Sequence, residues 1–167
     1  METCAREVMS SPVTALPKGT TLGEAARILT EHGHGGAPVV DLRGEPVGMV
    51  TLFDIVVALA GLDSHPGRLG ELFLASQRRW ERGAEEDDRE DDDDMALEVP
   101  VEDVMTPRAV LVAPGTPLTS VARTLAVEGI HRVLVRDPGG PLVGVITSLD
   151  VLRAQQGLPR PKRAAAH

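Results

Sequence analysis

Apolar positions along the chain keep a helical rhythm in some stretches and a strand rhythm in others, and the same succession of rhythms occurs twice. Leu22, Ala25, Ala26 and Leu29 fall at helical spacing behind a capping box from Thr21 to Glu24, and the pattern stops at Gly33. Leu118, Val121, Ala122 and Leu125 do the same behind Thr116 and Pro117 and stop at Gly129. "PVTAL", ahead of the first helix, reads as a short strand. After each helix come two apolar runs joined by a glycine-containing turn: "APVVD" and "PVGMV" around "LRGE", then "VLVRD" and "PLVGVI" around "PGG". Each pair predicts a hairpin. A second helix is expected from Thr51 and from Thr147.

A shift of 96 residues superimposes the two halves. Between 5–61 and 101–157, 18 of 57 positions are identical without a gap, where composition alone would give roughly four. Each copy is a β-α-β-β-α unit too small to be stable alone, so two units are expected to share a core about a pseudo-two-fold axis. The predicted class is α/β (α+β): unit 1 over 1–61, an inserted helix and acidic linker over 62–100, unit 2 over 101–157, and a basic proline-containing tail over 158–167. Within the insert, Leu69, Leu72, Phe73, Ser76 and Trp80 share a helical face, which predicts a helix over about 68–82.

The second helices differ. "SLDVLRAQQ" has an ordinary polar side, whereas "LFDIVVALA" is apolar almost all round apart from Asp54, more than a solvent-facing helix tolerates. Cover from a second subunit, hence a homodimer, is the expectation. Charge adds little to the globular part: "EEDDREDDDD", 85–94, holds nine acids and one Arg, which is the whole net charge of −8, and 16 acids balance 16 bases elsewhere. With two Phe, one Trp and no Tyr, neither a basic field nor stacking aromatics are available for nucleic acid. The longest apolar run is too short to span a membrane. With a single cysteine, Cys4, and no secretory signal pattern at the start, a cytoplasmic location is expected.

The duplicated element of chemical interest is "GMVTLFD" with its mate "GVITSLD". Thr51 to Asp54 and Thr147 to Asp150 each have the form of a helix cap. The same geometry suits a ligand, because a helix start offers free N–H groups and a positive dipole end, and a carboxylate there accepts from two adjacent hydroxyls.

The combination "VMSSPV…LPKGTTLGEAARILTEHG…APVVD…PVGMVTLFD" with "VMTPRAV…VAPGTPLTSVARTLAVEGIHRVLVRD…PLVGVITSLD" resembles a tandem pair of cystathionine β-synthase (CBS) domains, a Bateman module. The resemblance implies two clefts between the units that bind an adenosine-containing ligand (AMP, ADP, ATP or S-adenosylmethionine) as a regulatory ligand, with no required cofactor. It also implies control of an unknown partner protein and no chemistry of the module's own. Carried over, Thr51, Asp54, Thr147 and Asp150 are the ribose and phosphate contacts. His131 and Arg132, which face Gly35 and Gly36 in the alignment, are phosphate candidates, as is Arg108. Val13, Thr14, Ala109 and Val110 are adenine-pocket candidates.

Other motifs carry less. His32 and His34 in "EHGHGG" sit at a helix exit without further ligands at metal spacing, so no metal is expected. No nucleophile set is recognisable, so no catalytic residues are expected. The alternatives to a sensor are a ligand-free dimeric scaffold, whose motifs are caps only, and a weaker one, a metal-dependent enzyme.

Overall fold

The computed structural model describes residues 3–60 and 97–159. The helix expected over 68–82, the acidic run 85–94 and most of the basic tail lie outside the described residues. Unit 1 runs α1 (Ala5–Val8), β1 (Leu16–Pro17), α2 (Leu22–Glu31), β2 (Gly36–Val40), β3 (Pro46–Thr51) and α3 (Leu52–Leu59). Unit 2 opens with a 3-10 turn (Val101–Asp103) and continues β4 (Leu111–Val112), α4 (Leu118–Glu128), β5 (Arg132–Arg136), β6 (Leu142–Thr147) and α5 (Ser148–Gln155). Each unit holds a three-stranded sheet, β1-β2-β3 or β4-β5-β6, with a parallel first pair and an antiparallel hairpin. The expected α+β repeat is therefore present in both copies.

Local chemistry sets the element ends. The Glu24 N–H donates to Thr21 Oγ1 at 3.2 Å and the Thr21 N–H to Glu24 Oε2 at 3.1 Å, the reciprocal capping box that starts α2. Both long helices stop ahead of the expected glycines. In the first hairpin Asp41 Oδ1 accepts from the N–H groups of Arg43 and Glu45, both at 2.9 Å, which folds the turn.

The first strand is shorter than the expected five residues. Only Leu16 and Pro17 pair, with Val39 and Val40. The residues before them are occupied in crossing between units, for the leading segment of each copy packs on the other. In unit 1, Ala5 lies fully buried in the core built by Val121, Val133, Ile146 and Val151 of unit 2. In unit 2, Val101 is fully buried among Leu16, Leu22, Val39 and Val50 of unit 1. The exchange is symmetric bond by bond: Ser10 and Val145 trade backbone hydrogen bonds at 2.8 and 3.0 Å, and Thr106 and Met49 trade the equivalent pair, both at 2.9 Å. Gly48 and Gly144 permit it. A Cβ on Gly48 would stand 2.5 Å from Met105 Sδ and 2.7 Å from the Thr106 carbonyl oxygen, and one on Gly144 would collide with Met9.

The hairpin turn of unit 1 is also tied to unit 2. Arg136 donates through both Nη atoms to the two Glu45 carboxylate oxygens at 2.6 Å and through Nε to the Gly140 carbonyl at 2.8 Å.

Candidate functional site

A cleft opens where the crossing segment of unit 1 passes the start of α5. Ser10 is pinned beside Val145, and Pro12, Val13 and Thr14 continue from it along one wall on their way back to β1. The opposite wall carries Thr147, Val145 and Arg132, and the floor brings His34, Gly35, Gly36 and Pro38 from unit 1. The site thus exists because the leading segment of unit 1 crosses to unit 2.

Thr147 is the N-cap of α5 and Asp150 its third residue. The Asp150 N–H donates to Thr147 Oγ1 at 3.2 Å, while the Thr147 N–H and Oγ1–H both donate to Asp150 Oδ2, at 2.8 and 2.7 Å. Thr51 and Asp54 reproduce this at α3, with Oδ2 accepting from the Thr51 N–H and hydroxyl, both at 2.7 Å. The hydroxyl proton is committed in each case, and so is one hydroxyl lone pair. With its hydroxyl proton committed, each threonine side chain has acceptor character alone to offer a ligand. It suits donors such as the adjacent hydroxyls of a ribose. A phosphate needs a cation instead.

The guanidinium of Arg132 also lines the cleft. Residue 132 lies opposite Thr147 across the β5–β6 hairpin, and Gly36 lies opposite Thr51 across β2–β3. The Arg132 side chain reaches over to unit 1, where its Nη1 occupies the place a Gly36 Cβ would take and Nη2 sits 3.6 Å from that of Gly35. Burial lowers the guanidinium's pKa from its ordinary value, and the Asp54 carboxylate acts in the opposite sense. It stays a cation at neutral pH. The Thr14 hydroxyl and His34 Nε2 stand 3.2 Å apart on the cleft wall.

The remaining expected residues are placed as follows. Val13 and Thr14 line the cleft with Thr147 and Arg132. His131, one residue before Arg132, faces away from the cleft and lines an apolar groove between α4 and α5 with Leu125, Ile130, Val151 and Leu152. The two neighbours of a strand start point to opposite sides, which separates the expected basic pair. Arg108 pairs with Glu128 at 3.1 Å on the surface. Ala109 and Val110 belong to the second crossing, and Val110 packs on the core of unit 2. Sequence reasoning did not place His34, Gly35, Gly36 or Pro38 in the cleft. The signal available was the alignment of Gly36 with Arg132, since a glycine facing an arginine across a dyad marks a close approach.

His32 Nδ1 lies 2.9 Å from the Ile28 carbonyl oxygen, and its ring stacks on His34 at 5.8 Å. Among the described residues no three His, Cys, Asp or Glu side chains converge as a metal would require. Nor is any described helix long and apolar enough to cross a membrane.

The CBS domain profile matches residues 5–61 and 101–157, the two copies of the repeat. The chain belongs to the CBS domain family. Among solved structures it is similar to the CBS domain of a CBS domain-containing membrane protein from Sphaerobacter thermophilus, with a TM-score of 0.68 and 29% identity over 91% of this chain and 87% of that one. The CBS domain pair of protein MJ0100 in complex with 5′-methylthioadenosine and S-adenosyl-L-methionine has a TM-score of 0.67 and 24% identity, over 94% and 98% of the two chains. The structure of CBSX2 in complex with AMP has a TM-score of 0.63 and 24% identity, over 92% and 96%. Among curated relatives, protein MJ1426 of Methanocaldococcus jannaschii is 26% identical over 156 residues, 89% of each chain. The chloroplastic CBSX2 of Arabidopsis thaliana is 30% identical over 144 residues, 84% of this chain. The chain spans 58% of CBSX2 and 46% of protein MJ0188 of Methanocaldococcus jannaschii. The two units are thus a tandem CBS pair.

Proposed function

We propose that this CBS pair is a regulatory module that binds an adenosine-containing ligand between its units and sets the behaviour of a partner protein. The observation that carries the reading is one cleft that brings together Thr147, the cap of α5, the Arg132 side chain and the apolar surface of Val13, Pro38 and Val145. The acceptors suit ribose hydroxyls, Arg132 suits a phosphate, and the aliphatic wall suits a base. The AMP bound to CBSX2 and the adenosine compounds bound to MJ0100 are ligands of this chemical class. Of AMP, ADP, ATP and S-adenosylmethionine, the first matches the charge best, because Arg132 is the cleft's one guanidinium or ammonium cation among the described residues. The module acts by differential binding: ligand favours one placement of the units, and that placement sets the affinity for the partner. It acts as a homodimer, with its regulatory role separate from catalysis.

Isothermal titration of the purified protein with the four compounds and with adenosine tests this. AMP is expected to bind, and Asp150→Asn to weaken it by about tenfold, the worth of one charge-assisted hydrogen bond. Absence of heat with every compound at millimolar concentration would sink the reading. Unchanged affinity in Asp150→Asn would remove the cap from the site.

A further inference from the structure

Positions 36 and 132 are mates in the repeat, yet both line the same cleft, so the pseudo-two-fold axis passes close to them. Arginine at both positions would set two guanidiniums against each other at the axis. Glycine at 36 leaves room for one, and the space it vacates is where Arg132 Nη1 lies. Arg132 starts from the backbone beside Thr147 and ends beside the Gly36–Thr51 pairing, so one side chain spans the distance between the two carboxylate-capped helix starts. A Cβ at Gly36 would also fall 2.9 Å from Thr51 Cγ2, which places the guanidinium's resting position at the threshold of α3.

We propose that Arg132 is a single cation shared by the Thr147 cleft and the Asp54 carboxylate at the cap of α3, and that it couples the two. With no anion bound it is held toward Asp54. A phosphate in the Thr147 cleft draws the fork to itself, since a guanidinium pairs bidentately with one oxyanion at a time. Occupancy of that cleft then changes the charge felt at Asp54, and by linkage the state of Asp54 changes phosphate affinity in the Thr147 cleft to the same degree. This rests on the reading of the cleft as an adenosine-phosphate site. It adds that the Thr147 cleft does not act independently of the cap of α3 and that the asymmetry resides in one glycine-for-arginine exchange.

The test is a double-mutant cycle read by calorimetry, with AMP and adenosine titrated into the full chain, Asp54→Asn, Arg132→Ala and the double variant. Asp54→Asn is expected to tighten AMP in the Thr147 cleft by about threefold or more while leaving adenosine unchanged, and this gain should vanish once Arg132 is replaced. Arg132→Lys keeps the charge without the fork and stands in if Arg132→Ala does not fold; it should lose at least about half of the gain. An Asp54→Asn effect of equal size with and without Arg132, or no effect on AMP, overturns the coupling and leaves the binding reading standing. Failure of the unmodified chain to bind either compound overturns both.

Discussion

Three capping boxes led by threonine occur among the described residues, and their surroundings separate them. Thr21 with Glu24 starts α2 on an exposed surface, whereas the hydroxyls of Thr51 and Thr147 additionally donate to their aspartates. Replacing Thr21 or Thr147 by Ala removes the acceptor for the third helical N–H, so each variant is expected to lose about 1 kcal/mol in urea denaturation. Only Thr147→Ala should also change AMP affinity. Equal effects of the two on ligand would show that the cap at α5 is no part of the site. The caps themselves are legible in the sequence, because a Thr three residues ahead of an acid specifies its own local geometry. What lies across from the cap is not, since Pro12, His34 and Gly36 reach Thr147 only through the crossing of segments 96 or more residues apart in register. Glu102 gives a pH handle on that crossing. Its Oε2 accepts the Gly19 N–H of the other unit at 2.8 Å, and this hydrogen bond lowers its pKa below the usual carboxylate value. A lowered folded-state pKa contributes stability above the unfolded value, near 4.3, and loses it as pH falls through the folded value. The stability gap between the unmodified protein and Glu102→Gln should therefore be present at neutral pH and close in acid; a gap that widens on acidification would contradict the assignment.

At the level of elements, the helices and hairpins follow their local patterns, and the departures come from the crossing. "PVTAL" has the alternation of a strand but, between Pro12 and Ala15, no strand beside it, because these residues bridge from the sheet edge of unit 2 to that of unit 1. Periodicity reports which face a residue prefers and says nothing about whether a partner edge is within reach. Glycines record the crossing better. A Gly48→Ala side chain would meet a backbone carbonyl at 2.7 Å that is itself hydrogen-bonded to Met49, so it cannot yield without breaking the Met49–Thr106 pair. The expected cost is about 2 kcal/mol, visible as a lowered thermal midpoint. Gly23, in the first turn of α2, is the contrast: its nearest neighbours to an added Cβ lie in Leu97 at 3.5 Å, ordinary contact. Gly23→Ala should raise the midpoint, by about 0.5–1 kcal/mol of helix propensity and unfolded-chain entropy. Opposite signs for two Gly→Ala changes distinguish a packing requirement from a general effect of glycine removal; the same sign for both would refute the role given to Gly48.

For the whole molecule, the expectation that α3 is covered on two sides is half met within one chain. Ile55 and Val57 are buried, whereas Phe53 and Val56 are 52% and 60% exposed. Their mates in the repeat, Leu149 and Leu152 on α5, are 49% and 58% exposed. The pseudo-two-fold axis therefore displays the same apolar pair twice, and on unit 2 Leu152 lines the groove of Leu125, Ile130 and Val151. A face that repeats itself about an axis is self-complementary to a second copy turned to match it, which a partner of unrelated shape would satisfy on one unit only. Covering these four side chains, each about half exposed, favours association by about 1 kcal/mol apiece, before the cost of association is subtracted. The chain, of 17.7 kDa, should accordingly sediment as a dimer at micromolar concentration. Val56→Glu combined with Leu152→Glu should sediment as a folded monomer, since neither side chain enters a core in the single chain. A monomeric unmodified protein would remove the dimer, and a dimer that survives both charges would place the interface elsewhere. The first turn of α5 carries Asp150, and the same helix carries the exposed Leu149 and Leu152, so the cap of Thr147 and the apolar pair belong to one helix. A ligand that shifts that helix moves the face with it, so AMP should alter the dimerisation constant of the unmodified protein, and in Asp150→Asn the same change should need about tenfold more AMP.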